Sequence, residues 1–124
     1  MKLHLIGPMT GQPFYNAARF AEVASAFVRR GHIVTTPFDS NDRVWLKRTG
    51  RRFDPYAHRC DYGHPLLPEM YAENMRDLLA SDGVVVLDGW RDSRGSQPEV
   101  MVARLFGMLV FDERGNALDM EVAA

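Results

Sequence analysis

Cysteine is almost absent from this chain: Cys60 is the single one in 124 residues. No intrachain disulfide can form, which sets aside stapled secreted scaffolds and makes a reducing compartment, the cytoplasm, the expected location. Long apolar runs are missing as well. The opening stretch Met1–Ile6 is too short for a signal peptide and meets Gly7-Pro8 at once, and no window approaches the length of a membrane span, so no membrane partner is expected. An excess of either charge is also lacking. Fifteen Lys and Arg against sixteen Asp and Glu leave a net charge of −1, which argues against nucleic acid as the partner. What is present is 46% hydrophobic and 25% charged, the balance of a globular protein, in a length that fits one domain spanning residues 1–124.

The order of patterns along the chain alternates strand and helix. Leu3–Ile6 reads as a buried strand, and Gly7-Pro8-Met9-Thr10-Gly11-Gln12-Pro13 breaks regular structure after it. Phe20, Val23, Ala24, Phe27 and Val28 recur at helical spacing between Asn16, a plausible N-cap, and Gly31, a helix stop. His32–Thr36 is a short second strand closed by Pro37. Phe38–Leu67 reads as an irregular, functional excursion with at most a short helix near Val44–Lys47; it carries Arg43, Lys47, Arg48, Arg51, Arg52 and Arg59. Pro68 opens a helix to Ala80 with Met70, Leu78 and Leu79 as its apolar contacts, and Gly83–Leu87 is apolar throughout, as a central parallel strand should be. Ser96–Phe106 reads as helix and Met108–Phe111 as the last strand; the tail from Asp112 has little pattern and is expected to fray or pack on a partner. These elements predict an α/β fold: a small doubly wound, Rossmann-like or flavodoxin-like domain with a parallel sheet of four to five strands.

In such sheets ligands bind beyond the carboxyl ends of the strands, which points to two loops, Gly7–Tyr15 and Asp88–Gln97. Their glycines allow close backbone approach and both lead toward helix N-termini, which favour anions; glycine and proline that merely end strands would look the same. Glu99 falls in the first turn after the second loop. The helix terminus favours its ionised form, the form a nucleophile needs. Ser96-x-x-Glu99 is equally a capping box, in which the carboxylate only satisfies a backbone amide. His58, Cys60, Asp61 and His64 match no strong zinc spacing. Trp45, Tyr56, Tyr62 and Trp90 have the faces to stack on a base but are also ordinary packing residues, and Trp90 is the one within the second loop.

Gly7-Pro8-Met9-Thr10-Gly11 after the first strand, Val84–Leu87, and Ser93-x-Gly95-x-x-x-Glu99 opening a helix resemble the nucleoside 2-deoxyribosyltransferase-like superfamily, in particular its phage and bacterial branch and its relatives the 2'-deoxynucleoside 5'-phosphate N-hydrolases. The resemblance spans residues 1–37 and 68–111. It implies cleavage or transfer at an N-glycosidic bond through a covalent glycosyl–Glu99 intermediate. It implies a ligand held by Gly7, Pro8, Met9, Thr10, Gly11, Gly89, Trp90, Ser93, Arg94 and Gly95. It further implies no metal or organic cofactor, and a homo-oligomer of two or more copies. Transferases of free nucleosides place an aspartate where Ser93 stands, whereas the monophosphate hydrolases place a serine, which favours a nucleoside 5'-monophosphate beside Arg94.

The chain departs from that pattern in two places. With Asp82 opening the central strand, the family's upstream aspartate position is Asn74. An amide cannot protonate a leaving base, and Asp77, one turn on, is the candidate to replace it. Pro8 and Thr10 stand where the hydrolases hold a serine and an arginine, so Arg43, Lys47, Arg51 or Arg52 of the excursion would have to supply that grip. A nucleotide sensor or sequestering protein without turnover is the alternative.

Overall fold

The computed structural model describes residues 1–118. The strands are β1 (Lys2–Ile6), β2 (Ile33–Thr35), β3 (Gly83–Val86) and β4 (Leu109–Asp112), and the helices α1 (Ala17–Arg29), α2 (Pro37–Thr49), α3 (Leu67–Leu79) and α4 (Ser96–Leu105). All strand pairs are parallel in the order β2-β1-β3-β4, with Leu3 opposite Gly83 and Ile6 opposite Val86. The fold is thus a small doubly wound α/β domain with a four-stranded sheet. Among the described residues no helix is long and apolar enough to cross a membrane.

Side-chain alternation along the strands divides the core in two. Leu3, Leu5, Val85 and Leu87 pack under Phe20, Val23 and Phe27 of α1, whereas Ile6, Val84, Val86 and Val110 pack under Leu78 of α3 and Val100 and Ala103 of α4. His4 belongs by parity to the second face, and it is wholly buried there. Val28 and Leu79, expected to pack, are 54% and 51% exposed, because each follows its helix's last core position by one residue and is turned outward.

The excursion is more ordered than its sequence suggests. Pro37–Thr49 forms a 13-residue helix, capped by a box in which the Thr36 side chain accepts from the helix amides and Asp39 accepts from the Thr36 N–H. The apolar stripe is thin because much of this helix's packing is ionic: Arg43 pairs with Asp77, and Lys47 and Arg48 pair with Glu69, all across to α3. Val44 and Trp45 then join Phe53, Cys60, Tyr15 and Met70 of α3 in a third cluster, so residues 50–66 lean on the domain. Trp45 is stacked between His58 and His64, at 5.0 and 5.4 Å between ring centroids.

Beyond β4 the chain does not simply fray. A turn at Asp112–Asn116 brings Ala117 back against Phe111, and the Leu118 N–H donates to the Val110 carbonyl at 2.8 Å. The rest of the tail, from Asp119, lies outside the described residues.

Candidate functional site

The sheet order reverses direction at the β1–β3 pair, so the two connections leaving their carboxyl ends diverge and open a crevice. Gly7 and Gly89 shape the two exits, Gly7 by close packing on the core and Gly89 by its turn. A Cβ at Gly7 would meet Leu87 Cβ at 2.8 Å, and Gly89 has a φ of 88° that side chains resist. The crevice is a cavity of about 1300 Å³, a size that takes a nucleotide with room to spare.

Ten of the sequence-derived site residues line this cavity: Gly7, Pro8, Met9, Thr10, Asn74, Gly89, Ser93, Arg94, Gly95 and Glu99. Three do not. Gly11 sits at the exposed turn beyond the rim. Trp90 packs on the α3/α4 side of the core and borders a separate cleft of about 290 Å³. Asp77, on the side of α3 that faces α2, accepts from Arg43 at 2.8 and 2.9 Å and is not a wall of the cavity. The excursion's cations are also elsewhere: Arg43, Lys47, Arg48, Arg52 and Arg59 each face a carboxylate, and the cavity's cationic side chains are Arg19 and Arg94.

Glu99 is no capping residue. Gly95 is the N-cap of α4 without a side-chain bond, which puts Pro98, not Glu99, at the third helical position. The first amide is instead taken by Ser93, whose Oγ accepts from the Ser96 N–H at 3.3 Å and from the Ser96 hydroxyl at 2.8 Å. Ser93 keeps its own proton to donate to a ligand. Glu99 is 6% exposed and accepts from the Asn74 side-chain amide. Burial outweighs both that bond and the helix terminus: it pushes the Glu99 carboxyl up to about 8, so most of it is protonated at neutral pH.

Behind Asn74 stands His4, a residue missed in the sequence. Its Nε2 pairs with Asn74 Oδ1 at 2.8 Å and its Nδ1 with the Thr35 hydroxyl at 2.7 Å. Burial brings His4 down to about 4, against the opposing effect of the Asn74 bond, so the imidazole is neutral. The available signal was a lone polar residue inside an otherwise apolar strand.

Three further walls were also missed. Asn41 of α2 is buried and lines the cavity. Glu113 is buried, paired with Arg19, and accepts from the Asp88 N–H at 3.1 Å, which ties α1 and the β4 exit to the second loop. Tyr15 donates its hydroxyl to Asp61 and accepts from the Cys60 N–H, both at 2.9 Å. It does so from a run of three left-handed residues, Phe14, Tyr15 and Asn16, with φ of 49°, 57° and 65°. Such a run costs on the order of 1 kcal/mol per residue, and it stands at the cavity's edge, where strain of this kind tends to collect. On the opposite rim the Arg94 guanidinium lies 4.7 Å from the centre of the Tyr62 ring, bridging the excursion to the second loop. Among the described residues no cluster of His, Cys, Asp and Glu is arranged to hold a metal ion.

A comparison with curated proteins returns no match. Residues 1–112, from β1 through the end of β4, match the family described as "Domain of unknown function (DUF4406)", and the chain belongs to that family.

Proposed function

We propose that the cavity binds a nucleoside 5'-monophosphate, or the nucleoside itself, and that Glu99 cleaves its N-glycosidic bond. One observation carries this reading. A buried carboxyl forms part of a nucleotide-sized cavity at the sheet's switch point, with Ser93 and Arg94 on the loop that precedes it. In its ionised form Glu99 attacks C1' as the bond to the base breaks, and the electron pair leaves with the base. Water, or a second base, then attacks C1' from the opposite side and frees Glu99, so configuration is retained. The Ser93 hydroxyl and Arg94 suit the phosphate. The Asn41 carboxamide offers a donor and an acceptor to a base edge. Neither Asn74, which has no proton to give, nor Asp77, held by Arg43, protonates the departing base, so the base leaves on its own acidity or takes a proton from water.

That missing acid is also what favours the second reading, a protein that binds nucleotides without turning them over. The homo-oligomer implied by the resemblance has an apolar face available to it, Met101 and Leu105 of α4 and Phe106 just after it, all exposed. The protein should be incubated with a panel of nucleosides and nucleoside monophosphates and the products resolved by chromatography. Release of free base by the wild type and not by Glu99→Gln is the expected result. Tight binding with no base released establishes the second reading.

A further inference from the structure

We infer that His4 is a positioning residue that, backed by Thr35, sets the direction of the Asn74 amide and so makes Asn74 a hydrogen-bond donor to Glu99. The relay runs from β2 through β1 and α3 to α4: Thr35 Oγ1 to His4 Nδ1 at 2.7 Å, His4 Nε2 to Asn74 Oδ1 at 2.8 Å, and Asn74 Nδ2 to Glu99 Oε1. His4 and Asn74 are 0% and 5% exposed, so water does not compensate a broken link.

Each link constrains the next. Asn74 has one carbonyl and one amide group to share between two neighbours. With its carbonyl toward His4, the imidazole must carry its proton on Nε2. His4 Nδ1 is then bare and accepts from the Thr35 hydroxyl, and the Asn74 amide is left to donate to Glu99, whose acceptor is best as a carboxylate. The opposite polarity is the self-consistent alternative: a protonated Glu99 donates to the Asn74 carbonyl, the amide donates to Nε2, and Nδ1–H donates to Thr35. The two differ by an amide rotation and an imidazole tautomer. The His4 tautomer and the charge state of Glu99 are therefore coupled through Asn74. An imidazolium would donate from both nitrogens, to the Asn74 carbonyl and to the Thr35 hydroxyl, so it is the neutral ring that admits both polarities. The charged and titratable groups around the relay are Asp39 and Arg43 of α2 and Asp77 of α3, which act on His4, and Tyr71 of α3, whose hydroxyl is pushed up by burial and then by Glu99.

This inference rests on the proposed chemistry only for the use made of the carboxylate. It is tested without substrate, so a failure to release base leaves the test intact. The Glu99 carboxyl carbon should be followed by NMR through a pH titration, with Glu99→Gln used to assign it. In His4→Phe the Asn74 carbonyl loses its donor and the amide is free to turn, so the Glu99 midpoint is expected to rise by about one pH unit. In His4→Gln a side-chain amide reaches the place of Nε2, donates to Asn74 and restores the wild-type midpoint. An unchanged midpoint in His4→Phe, or an equal rise in both variants, overturns the inference. The wild type supplies a check that needs no variant to fold. Nitrogen-15 spectra of the His4 ring above the Glu99 midpoint should show the proton on Nε2 and a bare Nδ1. A proton on Nδ1 overturns the inference as well.

Discussion

Asn74 and Glu99 stand 25 residues apart on different helices, and their side chains are hydrogen-bonded to each other in the buried gap between α3 and α4. Amide and carboxyl thus answer one another where water is excluded. The position holds a carboxyl group that would be stable as an anion elsewhere on the surface, and here it is driven toward its neutral form.

Stability should therefore fall with pH in a defined window. Glu99 ionises at an ordinary 4.5 when unfolded and at about 8 when folded. The folded state keeps a proton that the unfolded chain releases, so stability is lost as pH rises between those values. His4 acts in the opposite sense. It is lowered from 6.5 to about 4, so its contribution is gained as pH rises from about 4 to 6.5. Above 6.5 only Glu99 is left, and unfolding free energy should drop by at most about 2 kcal/mol on going to pH 8. Urea unfolding at several pH values should show this drop in the wild type and a flat profile in Glu99→Gln; parallel curves would refute it.

Activity should move the other way. If Glu99 is the nucleophile, the ionised form is the competent one, and kcat/KM for base release should rise about tenfold per pH unit up to a plateau near 8. A rate that falls with pH across this range would make Glu99 a proton donor instead.

Loss of Asp77 should leave chemistry alone. Asp77→Asn removes the partner of a half-exposed arginine, which costs up to about 1 kcal/mol of stability. Base release is expected to be unchanged. A deep loss of activity with the fold intact would return Asp77 to the site.

Phosphate preference should reside in the second loop. Charge-assisted contacts are worth roughly 1.5–3 kcal/mol each, so a 5'-monophosphate should bind more than tenfold better than its nucleoside. Calorimetry on matched pairs should find that preference in the wild type and in Arg52→Ala, whose arginine is paired with Asp42, and lose it in Arg94→Ala. Equal affinities in the wild type would contradict the assignment.

The excursion should behave as a cover hinged at Tyr15. Tyr15→Phe deletes both hydroxyl bonds to residues 60 and 61 and should cost about 1–3 kcal/mol. Hydrogen exchange is expected to quicken across residues 54–64 in that variant, and to slow there in the wild type when a nucleotide binds. An excursion whose exchange ignores the nucleotide would be a structural insertion rather than a cover.

Much of the scaffold was legible in residue patterns. The four strands and two of the helices, α1 and α3, announce themselves by continuous apolar runs or helical spacing, and α4 by its position. α2 was hidden because its packing is largely ionic: Arg43, Lys47 and Arg48 find acids on α3 that no local pattern could anticipate. The same long-range pairing turned Arg43 and Lys47 away from the expected phosphate grip. Asp77 faces Arg43 rather than the cavity for a similar reason, since three residues along a helix turn a side chain from one neighbour to another.

By itself the sequence determined the class of fold, the two loops at the sheet's carboxyl edge and the residue types they carry, because period, glycine and proline act locally. Only the tertiary structure decided what Glu99 is. Ser96 and Glu99 had the spacing of a cap, and a cap needs nothing beyond one helix turn. Folding instead gave the first amide to Ser93, buried Glu99 against Asn74, and placed His4 from the first strand behind them. Desolvation and hydrogen-bond direction are set by neighbours that are 25 to 70 residues distant in the chain, and no window of sequence contains them.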